Sequence, residues 1–452
     1  MSRIRQKERR AILDSLRAGV VPKIGQHHIQ VGRHQEVKAL LSDIENVADG
    51  GSAVRFVIGE YGSGKTFFLG LIQSIALEKK LVTTSADLTP DRRIQATGGQ
   101  ARALYSELMR NIATRAKPEG GALASIAERF ISDSLKRARE SGAQVETVIQ
   151  ERLAHLTEMT GGYDFAHVIE AYWHGHDSGN ETLKQAAVRW LRGEYSTKTE
   201  ARQALGVRTI IDDANIYDSL KLMARFVRLS GFGGLLVTLD ELVNLYKLSS
   251  TQARNTNYEQ ILRILNDCLQ GSAEGFGIVF GGTPDFLMDP RRGLYSYEAL
   301  SSRLAENRFA QNGLIDFSGP VLRLANLSQE DLYLLLTKIQ HVASAGDEDQ
   351  ILVPDEALRA FLDHCHKTIG SAYFKTPRNS IKEFVSLLSV LAQNPEQDWQ
   401  SLIGTVQIAP DTGEDEIKPL DDESVVPNTG GASVLTSSDS DDDDDEMTSF
   451  RL

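Results

Sequence analysis

The stretch GEYGSGKTFFLGLIQSIA, Gly59–Ala76, follows directly on the apolar run AVRFVI at residues 53–58. A run of that length reads as a buried strand, and TFFLGLIQSIALEKK beyond the glycines reads as a helix. Between them GEYGSGKT satisfies G-x-x-x-x-G-K-T in full, in the strand, loop and helix context that makes the pattern a phosphate-binding loop. Gly62 and Gly64 let backbone N–H groups curl around phosphates with no Cβ in the way. Lys65 can reach the β- and γ-phosphates, Thr66 offers a hydroxyl to Mg²⁺, and the helix presents its positive end to the anion. The loop from Gly59 through Glu60, Tyr61, Gly62, Ser63, Gly64, Lys65 and Thr66 to Phe67 is therefore expected to carry ATP with Mg²⁺.

Working outward, LVTTSADL (81–88), GGLLVTLDEL (233–242), FGIVFGGTPDFL (276–287) and PVLRLAN (320–326) supply further strands, alternating with helical segments. That alternation predicts an α/β protein, a P-loop three-layer αβα ATPase core built on a parallel sheet. Residues 101–230 carry long-period helical patterning, such as ASIAERFISDSLKRA and DSLKLMARFVRLSG, and read as a large helical insertion. The expected organisation is an N-terminal helix (1–25), a core split between 26–100 and 231–327, the insertion (101–230), a helical lid (328–408) and a disordered acidic tail (409–452). The amphipathic N-terminal helix, with Ile4, Ile12, Leu13 and Leu16, is expected to pack on the domain that follows.

The net charge of −13 is concentrated at one end: residues 409–452 hold fourteen acidic residues against Lys418 and Arg451, leaving −1 for residues 1–408. The tail has too little apolar material to offset the entropy of ordering it. Its tip carries Met447, Phe450 and Leu452, suited to docking on a basic partner groove, to competing with DNA for the protein's own basic face, or to plain solubilisation. A nearly neutral body leaves room for a basic face that binds double-stranded DNA, and SRIRQKERR and SDSLKRARE are candidate phosphate contacts beside the alternative of solvated helix faces. No run reaches the roughly 20 apolar residues needed to span a bilayer, and the charged start has no secretory h-region, so a cytoplasmic address and no membrane partner are expected. Two cysteines, Cys268 and Cys365, are too few for a disulfide framework. YWHGHD, with His174, His176 and Asp177, and DHCHK, with His364, Cys365 and His366, each lack a second half at metal-ligand spacing.

The chemistry is expected at the tips of the strands. In LLVTLDEL, Asp240 can hold Mg²⁺ and Glu241 can polarise the attacking water, and a Glu after the Asp favours hydrolysis over mere retention. Thr283, ending the strand beside that of Asp240, can orient the water or sense the γ-phosphate. Among Arg291, Arg292, Arg303 and Arg308, Arg303 is the candidate arginine finger, the alternative being a surface ion pair; Arg378 can fold back on the γ-phosphate.

VGRHQE, GEYGSGKT, LLVTLDE, FGGTPDF and TPRNSIKEF, in that order, resemble the AAA+/STAND ATPases of the origin-recognition kind. The resemblance is closer to the ATP-binding proteins of bacterial BREX phage-defence systems, the BrxC/BrxD group and particularly its shorter BrxD-like members. It is carried by RRAILDSLRAGVVPKIGQHHIQVGRHQE, IYDSLKLMARFVRLSGFGGLLVTLDELVNLYKL and GLYSYEALSSRL. The resemblance covers about residues 8–395 and implies an ATPase core with a helical lid, a homo-oligomer with sites near subunit boundaries, and a defence role beside a helicase or other defence-system proteins. It further implies that Val31, Gly32 and Arg33 lie near the adenine, and that Lys65, Thr66, Asp240, Glu241, Thr283 and Arg378 take the roles above. No winged-helix pattern follows the lid. The rival from another class is a slowly hydrolysing STAND-type switch or scaffold that recruits an effector; a metabolic kinase is disfavoured by the Asp-Glu pair.

Overall fold

The computed structural model describes residues 4–310 and 316–404, and the acidic tail of the sequence reading lies outside the described residues. The five apolar segments form one parallel sheet: β1 (Ser52–Ile58), β2 (Val82–Asp87), β3 (Leu235–Asp240), β4 (Phe276–Gly282) and β5 (Val321–Arg323), in the order β2-β3-β4-β1-β5. Parallel strands require crossovers, which bury both faces, and β1, β3 and β4 are accordingly mainly apolar, while β2, VTTSAD, is the mostly polar strand at one edge. Successive side chains point to opposite faces. Phe56 and Ile58 of β1 join Val237, Leu239, Ile278 and Phe280 on one side, while Val57 joins Leu236, Val279 and Leu322 on the other. Arg55, the one charge in β1, is tolerated because its guanidinium pairs with Asp43, with Nη2 to Oδ1 at 3.0 Å, and donates to the Phe317 carbonyl at 2.7 Å.

Helices α1 (Gln6–Arg17) and α2 (His34–Ala48) precede the sheet, and α3 (Lys65–Glu78) links β1 to β2. Between β2 and β3 run α4 (Gln100–Arg110), α5 (Leu123–Ser141), α6 (Val145–Thr157), α7 (Gly162–Asp177), α8 (Glu181–Leu191), α9 (Lys198–Leu205) and α10 (Ile216–Leu229). Their apolar faces are continuous with the sheet: Phe130, Phe165 and Trp190 belong to the same buried cluster as Phe56 and Phe280. The helices therefore form part of the sheet's own core. Then α11 (Val243–Tyr246) and α12 (Thr251–Leu269) lead to β4, and α13 (Pro284–Met288) and α14 (Glu298–Leu304) to β5. Helix α12 escapes a reading by apolar period because its first half, TQARNTNYEQ, is polar; Ser250 caps it by accepting from Ala253 N. Helix α9 is short but capped by Thr197, whose side chain accepts from Glu200 N.

Helices α15 (Gln329–Ala343), α16 (Asp355–Ile369), α17 (Ala372–Lys375), α18 (Arg378–Gln393) and α19 (Trp399–Ile403) gather around a separate apolar cluster containing Leu336, Phe361, Phe384 and Leu388. The N-terminal helix joins this cluster, not the domain that follows it in sequence: Ile4 and Ile12 are buried there, and Arg9 Nε donates to the Ala343 carbonyl at 2.9 Å. The physical reason is complementarity, since the narrow apolar stripe of α1 fits α15 and α18 while the sheet faces are already covered by α2, α3 and the helices after β2. The chain then crosses back at Gln26, whose side chain lies against Gly70 of α3, leaving no room for a Cβ there. Two apolar cores thus face each other across the strap formed by residues 18–31.

Candidate nucleotide-binding site

The strand order brings the tips of β1, β4 and β3 side by side, and the loop after β1 runs straight into α3. Gly62 and Gly64 have φ of 75° and 78°, backbone that L side chains adopt only at a cost. At Gly59 the constraint is space instead: a Cβ would lie 2.5 Å from Ser63 Oγ. Ser63 Oγ is itself buried with no hydrogen-bond partner among the described residues, while the Ser63 backbone N–H donates to the Glu60 carbonyl at 3.2 Å. Lys65 Nζ donates to the Gly59 and Glu60 carbonyls at 2.9 Å each, so the ammonium is already poised over the loop. Burial lowers its pKa below the ordinary lysine value, opposed by Asp240, Glu241 and Glu60.

Thr66, the next residue, donates from Oγ1 to Asp240 Oδ2 at 2.8 Å, joining the two halves of the site across the sheet edge. The other oxygen, Asp240 Oδ1, accepts from the Glu241 backbone N–H at 2.9 Å. Glu241 holds a φ of 59°, unusual for a non-glycine residue, and lines the cleft described below. Asp240 is buried, and a Cβ on Gly281 of β4 would overlap its Oδ1, which explains the first glycine of the pair that ends β4; at the second, Gly282, a Cβ would lie 2.9 Å from the Phe286 ring. Asp87 escaped the sequence reading. It closes β2 in register with Asp240, and desolvation followed by the Asp240 carboxylate raises its pKa, with Arg92 and Lys23 opposing. Its signal was an acid at a strand tip, which acquires meaning only once β2 is known to lie beside β3. Among the described residues no group of three or more His, Cys, Asp or Glu could cage a metal ion. A hydroxyl and a carboxylate in contact suit Mg²⁺, which keeps waters and takes its remaining ligands from phosphates.

Above the loop opens a cleft of about 510 Å³ between the two cores. Its apolar wall comes from Val20, Pro22, Ile29, Val31, Phe67 and Leu335, and its polar end from the loop, Arg33, Glu241 and Arg378. The VGR trio is divided by the fold. Val31 lines the apolar wall, and Gly32 faces Asp331, where a Cβ would lie 3.0 Å from Oδ1. Arg33, with a φ of 59°, turns its guanidinium onto the phosphate loop, donating to the Ser63 carbonyl and, at 3.4 Å, to that of Gly64. Arg378 opens α18 and reaches the cleft from the opposite core, donating from Nη1 to Tyr61 Oη at 3.2 Å.

Other candidates sit elsewhere. Thr283 follows β4, caps α13 by accepting from Phe286 N at 3.4 Å, and is not among the residues lining the cleft. Arg303, on the exposed side of α14, donates from Nε to Asn266 Oδ1 at 2.7 Å, outside the cleft of its own chain. Arg292 donates to the carbonyls of Tyr246 and Leu248 at 3.1 and 2.9 Å and braces the segment after β3. His176 Nδ1 lies 3.3 Å from Glu128 Oε2 in the helices after β2, and Cys365 is buried with its thiol pushed up to about 12.

A parallel sheet with a glycine loop leading into α3 and an Asp-Glu pair two strands away defines a P-loop α/β ATPase core. The chain belongs to the family of BREX system ATP-binding proteins BrxC/D, whose family model matches residues 4–407. No curated protein matches it. The family places ATP binding within BREX defence. Among the described residues no helix is long and apolar enough to cross a membrane.

Proposed function

We propose that the protein is a Mg²⁺-dependent ATPase of a BREX-type anti-phage system, hydrolysing ATP to ADP and phosphate in order to remodel or load a DNA-associated complex. The observation that carries this reading is the 2.8 Å contact of Thr66 with Asp240, with Glu241 turned into the same cleft. The base and ribose lie along the apolar wall, and the phosphates enter the loop. Lys65 exchanges its two carbonyl partners for the β- and γ-phosphates, a change of partner and not of place. Thr66 and Asp240 would hold Mg²⁺, which would supply charge neutralisation on the transferring group. Glu241 accepts the proton of the attacking water, its backbone conformation keeping the carboxylate at the cleft. Arg33 steadies the carbonyl side of the loop, and Arg378 meets the charge that develops on the γ-phosphate. Arg303 acts as a finger offered to a neighbouring subunit of a homo-oligomer. Double-stranded DNA, a helicase or other defence-system proteins are the partners of the cycle, and the cytoplasm is its compartment.

The test is ATP turnover per subunit over a range of protein concentrations, with and without duplex DNA. Turnover that rises with concentration and with DNA, and that is nearly abolished in Lys65→Ala and Glu241→Gln, supports the reading; an unaffected Glu241→Gln protein removes that residue from catalysis. A second reading, the slowly hydrolysing ATP-bound switch, is favoured by the close seating of Thr376 on Gly62, a lid contact able to retain nucleotide. It requires nucleotide to co-purify and steady-state turnover to stay near zero under both conditions.

A further inference from the structure

Tyr61 occupies a position of the phosphate loop at which the motif itself asks for no particular side chain. It is a large aromatic residue left 38% exposed at the mouth of the cleft. Its hydroxyl accepts from Arg378 Nη1 at 3.2 Å, and the guanidinium carbon lies 5.7 Å from the ring centre. The other flank of Arg378 rests on the strap, where a Cβ at Gly19 would meet its stem at 3.7 Å. The same two bodies meet twice more nearby. Thr376 sits on Gly62, and Phe67 packs with the apolar cluster of the C-terminal helices while its neighbour Phe68 packs under the sheet. Arg378 is thus held between loop and strap, its stem on the strap and its guanidinium on Tyr61, beside the phosphate site.

We propose that Tyr61 is a positioning residue for triphosphate recognition, acting through Arg378: ring and hydroxyl hold the guanidinium at the mouth of the loop before nucleotide arrives. This rests on the reading of Arg378 as a γ-phosphate contact. An arginine side chain ordered in advance loses less rotamer freedom when it meets its ligand. Ordering one long, rotamer-rich side chain in advance is worth about five- to tenfold in affinity. Because ADP has no γ-phosphate, the benefit falls on the triphosphate.

The experiment is equilibrium binding of a non-hydrolysable fluorescent ATP analogue and of the matching ADP analogue to the full chain. It compares the unaltered protein with Tyr61→Ala, Tyr61→Phe, Arg378→Ala and the double variant Tyr61→Ala/Arg378→Ala. Tyr61→Ala is expected to weaken the triphosphate about five- to tenfold while leaving the diphosphate within about twofold. Tyr61→Phe should recover part of the loss, and the double variant should bind no more weakly than Arg378→Ala. Equal losses for both nucleotides in Tyr61→Ala overturn the proposal, as do additive losses in the double variant when Arg378→Ala alone changes the triphosphate preference. An Arg378→Ala protein with unchanged preference refutes instead the phosphate role of Arg378, and the Tyr61 proposal with it.

Discussion

Replacing Gly62 by alanine separates two reasons for a glycine that sequence cannot tell apart. Gly62 and Gly64 share nearly the same backbone, with φ of 75° and 78°, so alanine at either incurs the same left-handed penalty of about 1–2 kcal/mol. Only at Gly62 does the new methyl meet a wall: it would lie 2.8 Å from Thr376 Cγ2 and 3.1 Å from Thr376 Cα, whereas at Gly64 the nearest atom is Arg33 Nη1 at 3.5 Å. Overpacking of that kind costs about 1–3 kcal/mol. It acts on the seating of the C-terminal helices and not on the sheet. Hydrogen exchange of the nucleotide-free protein reads this locally, at amides of the first turn of α18 such as Ile381 N–H, which donates to the Pro377 carbonyl at 2.8 Å. Gly62→Ala should speed exchange there by about 5- to 150-fold through easier local opening, with Gly64→Ala close to the unaltered protein. Thr376→Gly added to Gly62→Ala removes the Cγ2 and Cβ contacts and should restore most of the protection. Equal exchange in Gly62→Ala and Gly64→Ala would falsify the claim that the C-terminal helices rest on Gly62.

Further outcomes follow from the same geometry. Gly281→Ala forces a methyl onto Asp240 Oδ1, so turnover should fall steeply and stability by about 1–3 kcal/mol, checked by ATPase assay and denaturant titration. Glu241→Gly should lose turnover without losing stability. Relief of about 1–2 kcal/mol of left-handed strain offsets the roughly 0.5–1 kcal/mol that glycine costs in chain entropy, and a drop in the denaturation midpoint counts against strain at that residue. Cys268 and Cys365 are both buried with thiols pushed up to about 12, so iodoacetamide at pH 8 should leave the native chain unlabelled and modify both residues after unfolding. Rapid labelling of either in the native protein contradicts the packing described around it.

Much of the fold was legible because its signals are local. The strands β1, β3 and β4 are short, mainly apolar runs followed by Gly or polar residues, and GEYGSGKT fixes its own context through the backbone freedom of two glycines. The long helices between β2 and β3 announce themselves by apolar period. Helix α12 does not, because its polar first half is stabilised by a cap and by contacts such as Asn257 with the Gln95 backbone, made across 162 positions of chain. The candidate site shows the same division. Lys65, Thr66, Asp240 and Glu241 are readable as types at strand and helix ends, but the 2.8 Å contact between Thr66 and Asp240 depends on β4 lying between β1 and β3.

By itself, then, the sequence determined the elements and the kind of chemistry they can carry: a phosphate loop, an acidic strand tip, and an α/β sheet to hold them. Periodicity, glycine backbone freedom and side-chain type act within a few residues and need no partner to be read. Only the tertiary structure decided that the N-terminal helix packs on the C-terminal helices, that Arg33 grips the phosphate loop, that Asp87 stands beside Asp240, and that Arg378 reaches Tyr61. Those outcomes depend on strand order and on which apolar faces remain uncovered once the sheet is closed, and both are properties of the whole chain packed at once.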